Sequence, residues 1–244
     1  MHGLSMTSSF PTHTLASFGV GPSLKERLNR VDRTPEPWID GLRSLSQGWT
    51  RQALTGLFDF EVVGREHLPT DRSFVMVSNH SSHLDAPCLQ AALPWSLRHR
   101  TFAAAAADYF FDHTAGALAA VVGVNAVPFD RQGGGAESLQ QCRDLLQGPE
   151  PTVLVIFPEG TRSPDGELGR FRSGVGRLVA GTDVPVVPCR LDGAFQALPK
   201  GARRPRPAKL RLHIGEAVTG PADGEDRAAV QTFVEGLREV VVAL

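Results

Sequence analysis

Two short apolar runs constrain this chain more than any other feature: "SFVMVSN" from Ser73 and "TVLVIFPEG" from Thr152. In neither run do apolar and polar residues alternate, as they would in a strand with one wet face. Each reads as a strand buried on both faces, and such strands need a layer of helices above and below. Each run also stops abruptly in polar residues, "NHSSHLD" after the first and "EGTRS" after the second. Open α/β sheets place their sites at the carboxyl ends of buried strands, where the helices diverge.

The rest of the sequence fits that frame. "FEVVG", "RHRTFAAAAA", "VNAVPFDR", "VPVVPCRLDG" and "AKLRLHIGE" read as further strands or buried segments, the fourth split by Pro188. "APCLQAAL" reads as a short helix opened by Asp85, with Pro87 tolerated in its first turn. "FFDHTAGALAAVVG", "GGGAESLQQCRDLLQ", "GVGRLVAGTD" and "EDRAAVQTFVEGLREVVVAL" read as helices. Strands and helices alternating over roughly 180 residues predict one α/β domain with a mixed, largely parallel sheet flanked by helices. Ahead of it, "EPWIDGLRSLSQGWTRQALTGLF" repeats Trp38, Leu42, Leu45, Trp49, Ala53 and Leu57 at three- and four-residue intervals. That spacing predicts an amphipathic helix, with Arg43, Gln47 and Arg51 on its other face. The expected organisation is a disordered segment over 1–35, the amphipathic helix over 36–58 and the main domain over 59–244.

Charge and cysteines exclude several classes. Lys plus Arg is 25 and Asp plus Glu is 26, so no overall field draws the chain to nucleic acid. Cys88, Cys142 and Cys189 are sparse and unpaired in sequence, which fits a reducing compartment. No run reaches the ~18 consecutive apolar residues of a membrane span. The amino-terminal stretch lacks the basic start of a signal peptide, so none is expected.

The chemistry is concentrated at the strand ends. His80 and Asp85 on a regular helix would lie ~140° apart and could not meet. Across a strand–loop–helix turn they can. The carboxylate would then fix the imidazole tautomer and leave the other ring nitrogen as a general base. No G-x-S-x-G elbow marks Ser81 or Ser82 as a nucleophile. A base alone suits direct attack by a substrate hydroxyl or amine on an activated acyl group. One alternative leaves Asp85 as a helix cap and His80 as a loop residue. Another reads His80, His83 and Asp85 as metal ligands of a hydrolase, but the other histidines form no ligand pattern. At the second strand end, Glu159 could accept from a substrate hydroxyl or hold Arg162, whose planar fork suits phosphate or carboxylate. "FRSGVG" from Phe171 adds a basic residue and two glycines before a helix, a pattern suited to anions. Oxyanion donors are expected among the backbone N–H groups near residues 81–83 or in the turn after Phe157.

These residues carry a family resemblance. "NHSSHLD" matches the N-H-x4-D block of the glycerolipid acyltransferase superfamily, which contains the bacterial 1-acylglycerol-3-phosphate acyltransferases. "VPFDR", "FPEGTRS" with the following "FRSGVG", and "VPVVPCRLDG" resemble the next three blocks, in family order. The second block departs from its usual form, with Pro128 before Phe129 and Asp130 before Arg131. The resemblance implies acyl transfer from a thioester of CoA or acyl carrier protein to the hydroxyl of a lysophospholipid, with no cofactor and no metal. It implies His80 as base and Asp85 as its partner, and Arg131 and Arg162 on the acceptor phosphate. Glu159, Gly160 and Thr161 would shape that pocket. Asn79, Phe129, Pro158, Gly174 and Pro188 would support it. The nearest rival is a family member acting on an amino-lipid or a specialised metabolite; a non-catalytic lipid-binding module is another.

A lipid substrate implies a membrane surface. The helix over 38–58 could lie in an interface with its tryptophans and leucines inward to lipid, or pack that same face on the domain core. "PKGARRPRPAKLR" carries six basic residues from Lys200 to Arg211 and no acid, suiting anionic head groups or the phosphates of CoA. The expected location is cytoplasmic, peripheral on the inner membrane face.

Overall fold

A computed structural model describes residues 37–106, 122–129, 135–202 and 204–244. The expected disordered segment and most of the "FFDHTAGALAAVVG" helix lie outside them.

Seven strands form one sheet in the order β1-β7-β6-β2-β5-β3-β4. They are β1 (Glu61–Val63), β2 (Phe74–Ser78), β3 (Thr101–Ala106), β4 (Ala126–Phe129), β5 (Val153–Ile156), β6 (Val186–Asp192) and β7 (Arg211–Ile214). Every neighbouring pair is parallel except β6 and β7. The mixed, largely parallel sheet is therefore present. β2 lies at its centre with all five residues buried.

Side chains alternate across a strand, so a doubly buried strand feeds two cores. Phe74 and Met76 join one core with Val153 and Val155 of β5; Val75, Val77 and Leu154 join the other. The first core is closed by α1 (Pro37–Phe58), through Leu54 and Phe58, and by α2 (Asp85–Ala92). A short α3 (Trp95–Arg98) precedes β3. The second core is closed by α4 (Gly135–Leu146), α5 (Gly174–Val179) and α7 (Arg227–Ala243). α6 (Ala194–Ala197) is a single turn after β6. Asp226 caps α7, its carboxylate accepting from the N–H groups of Ala228 and Ala229.

Two expectations need correction. Pro188 does not split its strand: β6 runs unbroken through it, in register with Val77. A proline lacks a ladder donor, but antiparallel pairing with β7 begins only at Cys189. Beyond that point Gly215 donates to the Pro188 carbonyl, which needs no N–H from the proline. Asp85 is not the cap of α2. Leu84 occupies that position, and the Asp85 carboxylate turns back into the loop before it.

The amphipathic helix forms, and of the two dispositions open to its apolar face it takes the outward one. Trp38, Leu42, Leu45, Trp49 and Leu57 point outward, with Trp49 73% exposed. Arg43 and Gln47, from the polar face, are buried. Ser46 anchors this flank by donating to the carbonyl of Val122 at 3.1 Å. The apolar stripe is thus unused by the described core. No helix among the described residues is long and apolar enough to cross a membrane.

Candidate active site

The loop between β2 and α2 brings His80 onto Asp85. His80 Nδ1 and Asp85 Oδ2 are 2.7 Å apart. The same oxygen accepts the N–H groups of Ser81 at 2.7 Å and Ser82 at 2.8 Å. Amide N–H groups can only donate, so Oδ2 is an acceptor and the imidazole presents a proton on Nδ1. In the neutral imidazole this leaves the lone pair on Nε2. Asp85 is fully buried and its Oδ1 has no hydrogen-bond partner. Three donors on one oxygen hold this carboxylate in place.

The imidazole is fixed from other directions too. Its ring stacks on Phe157, the residue after β5, with centroids 4.1 Å apart and an interplanar angle of 14°. The His80 N–H donates to Glu159 Oε1 at 2.7 Å, and its carbonyl accepts from Ser163 N at 2.7 Å. The segment after β5 thus grips the backbone of His80, two residues beyond β2, on both sides. The parallel pairing of β2 with β5 makes this possible, since both strands end at the same edge.

Glu159 sits behind the histidine. Its second oxygen accepts from Gly169 N at 2.9 Å. Both oxygens are therefore engaged by backbone donors, and the residue is 8% exposed. Burial outweighs these donors and raises the pKa of the carboxyl above its usual value. Asn79 is similarly occupied. Its amide donates to the Leu191 carbonyl at 2.9 Å and accepts from Leu191 N at 2.8 Å, tying β2 to β6. Pro188 lies within the sheet.

A cavity of about 920 Å³ opens beside His80. His80, Phe129, Pro158, Gly160, Thr161, Arg162 and Gly174 all line it, so sequence-distant blocks converge there. Part of the wall is apolar, with Ala103, Val124 and Leu139 among its residues. Arg131 lies outside the described residues, as does Asp130. His83 also lines the cavity; burial and the nearby Arg162 guanidinium lower its pKa.

The oxyanion candidates fare unevenly. The N–H groups of Ser81 and Ser82 are engaged by Asp85, and Gly160 N donates to the Phe157 carbonyl at 3.0 Å. Cys88, near Asp85, is no nucleophile: burial, with the carboxylate, pushes its thiol far above the ordinary range. Among the described residues no group of three or more His, Cys, Asp and Glu side chains is arranged to hold a metal ion. Sequence reasoning missed the Phe157 stack and the Glu159 anchor. Both lie within the "FPEGTRS" run, but only the β2–β5 register shows what they face.

Fold and site together define a class: a doubly covered α/β sheet whose strand-end histidine is hydrogen-bonded to a buried aspartate, beside a cavity with cationic and apolar parts. The Acyltransferase family model matches residues 59–192, and the chain belongs to that family. A 1-acyl-sn-glycerol-3-phosphate acyltransferase of Chlamydomonas reinhardtii is 32% identical over 70% of this chain and 50% of its own length. The human 1-acyl-sn-glycerol-3-phosphate acyltransferase alpha is 31% identical over 75% of this chain and 62% of its own. The chain spans between about two fifths and three fifths of the length of the curated relatives it matches. The crystal structure of PlsC, the 1-acyl-sn-glycerophosphate acyltransferase of Thermotoga maritima, superimposes with a TM-score of 0.61. It shares 27% identity, over 83% of this chain and 79% of that one.

Proposed function

We propose that this protein transfers a fatty acyl group from an acyl thioester to the free hydroxyl of 1-acylglycerol 3-phosphate. The observation that carries the chemistry is the His80 Nδ1–Asp85 Oδ2 contact, which leaves Nε2 as a base at the cavity wall. The family supports the choice of reaction, and the names of the relatives support the choice of acceptor.

The proposed steps are these. Nε2 takes the proton of the acceptor hydroxyl as its oxygen attacks the thioester carbonyl. The imidazolium is stabilised by the Asp85 carboxylate. The tetrahedral intermediate collapses, the C–S bond breaks, and the departing sulfur takes the proton back from Nε2. A positioned base of this kind contributes ~10²–10⁴-fold. Neither a metal nor a cofactor enters any step, and no covalent acyl-enzyme forms. Arg162, with Arg131, receives the acceptor's phosphate. The donor is acyl-CoA or acyl carrier protein.

The protein works at a membrane surface, peripherally and on the cytoplasmic side. The outward Trp38, Leu42, Leu45, Trp49 and Leu57 of α1 support this, because they form a stripe that the described core leaves exposed. Of the basic segment, Lys200, Arg204 and Arg206 are exposed and suit anionic head groups. Lys209 and Arg211 do not contribute, being paired with Asp59 and Glu61.

The test is thiol release from acyl-CoA against a panel of lysolipids, with the acylated product identified by mass. Release stimulated by 1-acylglycerol 3-phosphate, with phosphatidic acid formed, is the expected result. Release stimulated only by an amino-lipid or another hydroxyl compound would move the function to another acceptor. Lipid binding with no thiol release under any acceptor would end the enzymatic reading.

A further inference from the structure

We infer that Arg172 is a phosphate-binding residue of the acceptor site, acting beside Arg162 at the turn that follows β5. The inference rests on the acceptor proposed above and gives the basic residue of "FRSGVG", which the sequence marks only as suited to anions, a specific ligand.

Arg172 follows Phe171, which is buried in the second core. Its backbone N–H donates to the Pro158 carbonyl at 2.9 Å, pinning it against the turn that carries Gly160, Thr161 and Arg162. The guanidinium then lies across Gly160. A Cβ built on Gly160 would fall 2.8 Å from Arg172 Nε and 3.0 Å from Cζ. Gly160 also has φ +75°, a conformation that side chains disfavour. The glycine therefore serves two ends: it makes the tight turn, and it lets an arginine lie flat over that turn.

The position of the side chain points to a ligand. Arg172 is exposed and lines the cavity that holds His80 and Arg162. Among the described residues, no acid or carbonyl is bonded to its guanidinium. Another arginine of the same cavity differs. Arg143 directs its guanidinium to the carbonyls of Arg177, Leu178 and Ala180 and so closes the end of α5. Arg238, nearby, donates to the carbonyls of Leu168 and Gly169. Those two guanidiniums are structural, whereas that of Arg172 faces the cavity with its fork unengaged. A phosphate monoester carries close to two negative charges at neutral pH, and a planar fork binds its oxygens in pairs. Two arginines flanking one turn bring that charge to the cavity that His80 also lines.

The test compares wild type, Arg172→Met and Arg172→Lys in the full chain. Three reactions are followed: acyl transfer to 1-acylglycerol 3-phosphate, acyl transfer to uncharged monoacylglycerol, and hydrolysis of acyl-CoA by water. Arg172→Met should lower kcat/KM for the phosphorylated acceptor ~10–100-fold while leaving the other two reactions near wild type. Arg172→Lys should restore part of the loss. Inhibition by glycerol 3-phosphate should weaken in the same order, which reads the phosphate site without the lipid. Equal losses for charged and uncharged acceptors, or no loss with either, would overturn the inference while leaving the acceptor proposal standing. A wild-type protein that transfers to monoacylglycerol but never to 1-acylglycerol 3-phosphate would overturn both.

Discussion

Glu159 holds His80 by its backbone: Oε1 of the buried carboxylate accepts the His80 N–H at 2.7 Å, while Oε2 accepts the N–H of Gly169 at 2.9 Å. The residue that a motif reading assigns to substrate is thus engaged with the chain itself. In the proposed reaction its part would be to place the imidazole. Asp85 and Phe157 fix the ring, and Glu159 with Ser163 fixes the backbone that carries it.

Glu159→Gln tests this. A glutamine offers one acceptor for two donors, so one N–H is left opposed by an amide N–H. Turnover should fall while acceptor KM holds, and hydrolysis of acyl-CoA by water should fall in parallel. A loss confined to acceptor KM would return Glu159 to the substrate. Stability supplies a second readout with a definite sign. Burial raises the Glu159 pKa in the folded state, so the unfolded chain ionises first as pH rises. Wild type therefore loses stability as pH climbs from the unfolded value through the folded one. The substituted glutamine does not titrate, so the difference in urea midpoint should shift toward the variant as pH rises from about 4 to about 8.

Asp85 separates geometry from charge. Asp85→Asn retains one acceptor for the three donors but cannot stabilise imidazolium. Turnover should drop by ~10²–10⁴-fold with a modest change in stability. Asp85→Ala strands the N–H groups of Ser81 and Ser82, at about 1–3 kcal/mol for each buried unsatisfied donor. That variant should lose both activity and several degrees in Tm. An Asp85→Asn protein with normal turnover would show that the carboxylate charge plays no part.

The outward face of α1 predicts lipid binding that two substitutions remove. Trp38→Glu with Trp49→Glu should weaken binding to anionic vesicles at least ~10-fold, since each buried aromatic contributes ~1.5–3 kcal/mol. The unfolding midpoint should hold, because both tryptophans lie outside the core. Unchanged vesicle sedimentation would remove α1 from the membrane account.

Metal removal should have no effect. Exhaustive chelation followed by transfer assay in metal-free buffer is expected to retain full activity. Stoichiometric zinc in active protein, lost together with activity, would favour a hydrolase built on His80 and His83.

Much of this site was legible in the sequence because parallel strands end together. Two apolar runs without alternation had to be neighbours in a buried sheet, and their polar continuations had to meet. His80 and Asp85 followed from the impossibility of a helical pairing and the ease of a loop pairing. What each partner faces was not legible. Glu159 and Arg162 are three residues apart, yet one turns under His80 and the other lines the cavity. The basic run from Lys200 contains no acid, but the fold brings Asp59 and Glu61 to Lys209 and Arg211 across the β1–β7 pair. Periodicity located the stripe of α1 but not its direction, because the same spacing serves a core or a lipid surface. Pro188 looked like a break because a proline's missing donor matters only where a partner strand needs it.

The most direct test of the account is the rate of phosphatidic acid formation by His80→Ala at saturating acyl-CoA and 1-acylglycerol 3-phosphate, with its unfolding midpoint measured alongside. Loss of the base at Nε2 predicts a fall of ~10²–10⁴-fold with the fold intact. Turnover near that of wild type in the folded variant would contradict the dyad mechanism outright.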